Sequence, residues 1–580
     1  MSSSTNANCV NNFCFDICNN RIFQAGISQG KSTSLNIDTH SLQFFRQDRE
    51  KRDFVSGGAA AGVAAAFGSP VGGVLFALEE GASFWNQSLT WRIFFGSMTS
   101  FFTLNMVLSV YRGIPGQLSN GGLLNFGNFD DATYAVWELP MFLLMGVLGG
   151  VLGALFNHIN YKLTVFRMRY ITARPLKMLE CAIVAACTAT AGFLMIYLIN
   201  DCKPYGNTPH NNNPIQMYCD DGEYNVVGAI WFQTPEQSVR SLFHDPPSSH
   251  HLSTLGIFFI LYFLLNCWTF GMAVSSGVFI PTLLTGAAWG RFIGHAMMDI
   301  FPENELSDPG KYALLGAAAM LGGVTRMTIS LTVIIIEATG NLTYGFPVMV
   351  VLLVAKWVGD IFNEGLYDIH IQLAGVPLLG WDPPPLSATT YATHVMSHPV
   401  VTLNTTETVG NIVDILKSTT HNGFPVVDHI QTGVARGSSR SFGKMRGLVL
   451  RSELIVLLQH KIFSELYGEW EGKVDMGLFR MAYPRYPHIS RIFVSMTERE
   501  YHVDLRPVMN TTPVTCLHST NLNQMFQLFR ALGLRHMLVV DEDSEVVGVV
   551  TRKDLARFRV KHHYTGTIER EVVHITEEVQ

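Results

Sequence analysis

Residues 68–81 read Gly-Ser-Pro-Val-Gly-Gly-Val-Leu-Phe-Ala-Leu-Glu-Glu-Gly. The stretch reads as an apolar, glycine-rich helix that ends in two adjacent carboxylates, Glu79 and Glu80, before an aromatic segment. Soluble helices rarely join so many small residues to an unpaired acidic end. Membrane helices pack through small residues, and an ionisable group at membrane depth marks function by default. The stretch therefore sets the solvent: this part of the chain expects lipid.

Composition agrees. Of 580 residues, 48% are apolar and only 15% charged, against roughly 25% charged in soluble domains. The charge deficit is local. Apolar runs lie at 56–79, 89–111, 135–160, 178–199, 252–270, 277–299, 311–324, 328–339 and 345–362, whereas the sequence after about residue 388 reads as soluble protein. Several runs reach the roughly 20 residues that cross a bilayer. Others are interrupted by Gly and Pro, at 277–281 and 322–327, as in transporters whose helix ends face a substrate inside the membrane.

Charge sets the expected topology. Lys162, Arg167, Arg169, Arg174 and Lys177 crowd one loop, which the positive-inside rule assigns to the cytosol. The acidic loop at 201–251 should then face the opposite side, where Cys202 and Cys219 either pair or stay as thiols. The other cysteines, including Cys9, Cys14 and Cys18, lack metal-ligand spacing, so no metal is expected. A net charge of −6 gives no reason to expect nucleic acid. Residues 1–20 carry no leader signature, so internal segments should drive insertion. Asn86 and Asn341 begin glycosylation sequons but abut apolar runs.

The soluble tail repeats itself. Phe424-Pro425-Val426-Val427-Asp428 matches Met537-Leu538-Val539-Val540-Asp541, and Val395-Met396 echoes Val508-Met509. The strand-turn-helix signal from Gly447 to Leu454 likewise returns from Gly548 to Leu555, and the first copy carries an insertion around 432–444. Within the apolar part, Ser275-Ser276-Gly277-Val278-Phe279-Ile280-Pro281 places an irregular turn before a helix. Amides at such an end suit an anion; a proline-kinked packing helix is the competing reading.

Together 68–81, 277–281 and the paired repeats resemble the chloride channel and transporter (CLC) family with its two cystathionine-β-synthase (CBS) repeats. The resemblance covers roughly residues 22–560. Three runs look closest to the family's lysosomal chloride/proton exchangers: Glu80 to Asn86, Cys219 to Asn225, and Leu242 to Pro247. The resemblance implies an α-helical polytopic membrane domain of inverted-repeat type, its first half incomplete, followed by a cytosolic α/β CBS pair. The expected divisions are a non-matching tail (1–21), the membrane domain (22–373), a linker (374–390), CBS repeat 1 (391–460), an inter-repeat segment (461–504), CBS repeat 2 (505–560) and a C-terminal tail (561–580).

It also implies residue roles. Val278 and Phe279 match the amides that coordinate chloride, and Tyr367 matches the tyrosine that faces the same ion. Glu80 matches the inner proton acceptor of exchangers, with Glu79 structural. Asp554 matches the acid that takes ribose hydroxyls, His421 and Asn422 the base-packing position, and Lys553 approaches phosphate; adenine nucleotide (ATP) is the expected regulatory ligand. No cofactor is required, and no catalytic triad, metal cluster or phosphate loop suggests an enzyme. Expected partners are the membrane, a second copy as a homodimer, and a single-span glycosylated accessory subunit, in a lysosomal or late endosomal membrane.

Two family motifs are not in the chain: Gly-Ser-Gly-Ile-Pro, whose serine faces chloride, and Gly-Lys-Glu-Gly-Pro, whose glutamate gates. The expectation is therefore a truncated, transport-impaired exchanger. The alternative is a non-transporting regulatory subunit that dimerises with full-length protein.

Overall fold

The computed structural model describes residues 48–572, apart from 83, 84, 86, 117–121, 128, 130–133, 200, 205–214, 275, 301–307, 377, 381–382, 384–389, 429–440, 466–474, 483–485 and 563–567. The N-terminal tail, most of the linker, Ser275, Asn86 and much of the insertion in the first repeat lie outside the described residues. The chain divides into two compact units, with the boundary between Ala374 and Gly375.

The first unit is helical: α1 (Asp48–Phe67), α2 (Pro70–Phe76), α3 (Gln87–Tyr111), α4 (Leu139–Tyr170), α5 (Arg174–Leu198), α6 (Val226–Trp231), α7 (Pro235–His244), α8 (Leu252–Thr269), α9 (Phe279–Ile300), α10 (Pro309–Thr325), α11 (Ile329–Thr339), α12 (Gly345–Phe362) and α13 (Leu366–Leu373). Among the described residues, five helical segments are long and apolar enough to cross a membrane. On α3, Trp91, Phe95, Phe102 and Val110 stay more than half exposed, a face suited to lipid rather than water. The apolar run at 56–79 is not one helix. Gly68 takes a left-handed φ of 67°, and Pro70 then opens α2 at a position where its missing N–H costs nothing.

Glycine rows decide the packing. Gly149 and Gly153 of α4 meet the backbone of Ala319 and Gly323 on α10, while Gly146 and Gly150 meet Val351 and Ala355 on α12. A Cβ on Gly153 would stand 2.2 Å from the Gly323 carbonyl carbon. Helices this close hold each other by backbone contact.

Buried polar groups tie the remaining joints. Asn160 donates to the carbonyls of Cys267 and Phe270, closing the end of α8. Arg167 pairs with Glu180 at 2.7 Å and donates to the Phe270 carbonyl. Between α5 and α6, β1 (Cys202–Pro204) pairs antiparallel with β2 (Glu223–Asn225), and Cys202 and Cys219 form a disulfide. The pairing that sequence left open is made.

The second unit shows the repeat as structure. β3 (Leu403–Asn404) is joined in chain order by β4 (Thr406–Thr408), β5 (Gly423–Asp428), β6 (Lys444–Leu450) and β7 (His502–Asp504), with β4 paired to β7. The second copy supplies β8 (Thr515–Leu517), β9 (His536–Val540) and β10 (Val546–Thr551). The sheets β3-β5-β6 and β8-β9-β10 share one order, a parallel pair followed by an antiparallel one. Each copy carries a helix after its first sheet strand, α14 (Val409–Ser418) or α16 (Leu522–Leu532), and one after its last, α15 (Arg451–Gln459) or α17 (Arg552–Arg557). The copies also trade edges. Ser397 of the first bridges Val549 of the second, and Asn510 of the second bridges Leu448 of the first.

Candidate functional site

The first turn after α2 is a wide helical turn, Ala77–Gly81, that sends its two carboxylates to different surroundings. Glu79 reaches the start of α11. Its Oε1 accepts the Thr328 amide and hydroxyl, both at 2.8 Å, and its Oε2 accepts the Ser330 amide at 2.9 Å and hydroxyl at 2.6 Å. Two amides and two hydroxyls thus converge on one carboxylate, which caps the start of α11. The expectation that Glu79 is structural has this cause.

Glu80 differs in its hydrogen bonding. It is half-buried and accepts no hydrogen bond among the described residues. Its charge neighbours are Glu79, Asp368 and Lys356, and Tyr367 lies within charge range of it. Sequence reading did not single out Lys356 or Asp368. A lysine inside the apolar helix α12 was readable as an exception, but which acid it faces depends on the fold.

Val278 and Phe279 are buried, at 2% and 4% exposure, at the head of α9. Their carbonyls accept the Thr282 hydroxyl, at 2.7 and 2.9 Å, so carbonyls point down the helix and the amide end leads it. The Phe279 ring packs on Phe67 with centroids 4.5 Å apart, next to the Gly68 turn. Val278 shares a buried cluster with Leu366, the residue before Tyr367. Three distant segments therefore converge: the end of α1, the head of α9 and the head of α13.

In the second unit, Asp554 Oδ1 accepts the Ser397 hydroxyl at 3.0 Å, while Oδ2 accepts the Thr551 amide and hydroxyl at 2.8 and 2.6 Å. Ser397 belongs to the first repeat, so the acid of α17 sits at the seam; sequence reading missed that serine. His421 and Asn422 are exposed, and their carbonyls accept from Arg451. No hydrogen bond joins either to Asp554 among the described residues. Their neighbour Gly423 faces His536 of the second repeat, whose Nε2 would stand 3.1 Å from a Cβ there. Lys553 is exposed. Among the described residues no group of His, Cys, Asp and Glu has metal-binding geometry.

The voltage gated chloride channel family matches residues 23–360, and the CBS domain matches 392–434 and 504–561. The H(+)/Cl(-) exchange transporter 7 of Rattus norvegicus and of Homo sapiens is 56% identical over 545 residues, covering 93% of this chain and 67% of each relative. Chloride channel protein CLC-b of Arabidopsis thaliana is 38% identical, over 92% of this chain and 70% of its own length. The crystal structure of a eukaryotic CLC transporter aligns with a TM-score of 0.51 over 88% of this chain and 73% of that one, at 23% identity, which speaks for the fold alone. These relatives are transporters, which places the chain among transport proteins rather than enzymes. With the membrane signature covering more than half of its length and a CBS pair behind it, the chain belongs to the voltage gated chloride channel (CLC) family.

Proposed function

We propose that this chain serves chloride/proton exchange across an endolysosomal membrane, with Glu80 as the inner proton acceptor and with Val278, Phe279 and Tyr367 around the chloride. The observation that carries the reading is the split between neighbours: among the described residues Glu79 accepts four hydrogen bonds and Glu80 accepts none. A carboxylate without fixed partners can take and release a proton without breaking a structural bond. The head of α9 offers amides and a favourable dipole to an anion, and a phenol can donate to chloride while remaining neutral.

The motifs that carry the gating glutamate and the chloride-facing serine are not among the 580 residues. Selectivity built from converging donors needs all of them. We therefore expect these residues alone to exchange poorly. That same observation favours a second reading, a non-transporting subunit that pairs with a longer copy. A homodimer, a single-span glycosylated accessory subunit and a cytosolic CBS tail complete the proposal.

Proteoliposome flux tests it. The 580-residue chain should show little chloride-coupled proton movement; a chimera carrying the preceding segment of the rat relative should show it. Glu80→Ala in that chimera should abolish proton coupling while chloride still moves, and unchanged coupling removes Glu80 from the path. For the tail, ATP at the seam of the repeats is the proposed ligand, held by Asp554, Lys553, His421 and Asn422. ATP should raise the melting midpoint of the parent and not of Asp554→Ala; equal shifts in both sink the assignment.

A further inference from the structure

Helices α2 and α11 lie against each other, with the Ile334 side chain where a Cβ on Gly72 would fall. Each ends in a glutamate that caps the other. Glu79 takes the Thr328 and Ser330 donors at the start of α11. Glu337 takes the Gly72 amide at 3.0 Å and the Ser69 hydroxyl at the start of α2. The caps are alike in chemistry, but only Glu79 adjoins Glu80. All four of its partners are donors, so the group they hold is the ionised carboxylate.

We propose that Glu79 is a positioning residue for Glu80: anchored by the start of α11, it fixes the backbone under the proton acceptor and keeps a negative charge beside it. The inference rests on the reading of Glu80 as that acceptor. Asp368, Lys356 and Tyr367 also lie within charge range of Glu80, and none of them is altered when Glu79 alone is changed. Glu337 supplies a matched control, since its loss costs the same kind of cap without altering the charge next to Glu80.

The test is infrared titration of carboxyl bands in the purified 580-residue chain, with Glu80→Gln identifying the Glu80 band. Glu79→Gln and Glu337→Gln should lower the melting midpoint by similar amounts. Only Glu79→Gln should change the hydrogen-ion concentration that half-titrates Glu80, by about ten-fold, the size expected for one unit charge at neighbouring-residue distance in a partly hydrated site. An equal change in both variants, or none in Glu79→Gln, overturns the proposal. Should Glu79→Gln fail to fold, Thr328→Val and Ser330→Ala each remove one hydroxyl donor more gently and should shift the same band in the same sense; no shift in either counts against the proposal. If no band responds to Glu80→Gln, the proton-acceptor reading fails by itself. Positioning is then read from Glu80→Cys labelling by a thiol reagent, measured above the parent. Faster labelling with Glu79→Gln and not with Glu337→Gln supports it, and equal rates overturn it.

Discussion

Arg291 shows how a single residue can fasten a loop. Its side chain is fully buried in α9, and its guanidinium donates to the carbonyls of Leu242, Asp245 and Pro246 and to the Ser249 hydroxyl. A planar fork with five N–H groups can serve that many acceptors; an ammonium with three cannot. Arg291→Met should therefore destabilise the chain by about 3 kcal/mol, because buried carbonyls lose their donors. Arg291→Lys should fall between, and a lower melting midpoint with faster proteolysis at 241–249 is the measurement. An unchanged midpoint in Arg291→Met refutes the role. The sequence shows an arginine in an apolar helix but not its partners, because backbone carbonyls carry no residue signature. The Glu79–Glu80 pair has the same limit. Two acids are visible, yet which one is satisfied depends on Thr328, 249 residues away.

Elements were legible as periods and punctuation, and their partners were not. The small residues of α4 announce close packing, but only the fold pairs Gly149 and Gly153 with α10 and Gly146 and Gly150 with α12. Gly153→Val should force α4 from α10, an overpacking cost of about 1–3 kcal/mol or more, seen as loss of the monodisperse peak in size-exclusion chromatography; an unaltered peak contradicts the contact. In the tail, the repeat was readable, whereas the exchanged edges follow from the two copies facing each other. His536 sits on that seam beside Gly423. Burial, then the nearby Arg535, holds its imidazole below the ordinary value of 6.5. The unfolded chain takes up a proton below about pH 6.5 before the folded one does. The neutral ring's contribution is thus complete above that pH and declines as pH falls from there towards the folded value. The second unit's melting midpoint should drop between pH 7 and about 5.5, and His536→Asn should flatten that drop. An identical slope in the variant rejects the assignment.

For the whole molecule, sidedness follows from one helix and its two ends. Of the basic residues counted for the positive-inside rule, Arg167 is buried against Glu180 and contributes no free charge. Lys162, Arg169, Arg174 and Lys177 remain exposed, and that excess still favours the expected cytosolic side for their loop. From there α5 runs 25 residues, about 37 Å at 1.5 Å per residue, enough to cross a hydrocarbon core of about 30 Å. Its far end delivers the chain to β1 and the Cys202–Cys219 disulfide, a bond that belongs to an oxidising compartment. Charge and sulfur chemistry are independent properties, and both favour the expected orientation. In sealed vesicles with the basic loop outside, a membrane-impermeant phosphine should leave the disulfide intact until the vesicles are permeabilised. Reduction without permeabilisation inverts the topology. The bond closes a loop of 17 residues, for which chain entropy gives a stabilisation of about 3 kcal/mol. Cys202→Ser with Cys219→Ser should therefore lower the melting midpoint clearly, and to the same value that reduction of the parent produces.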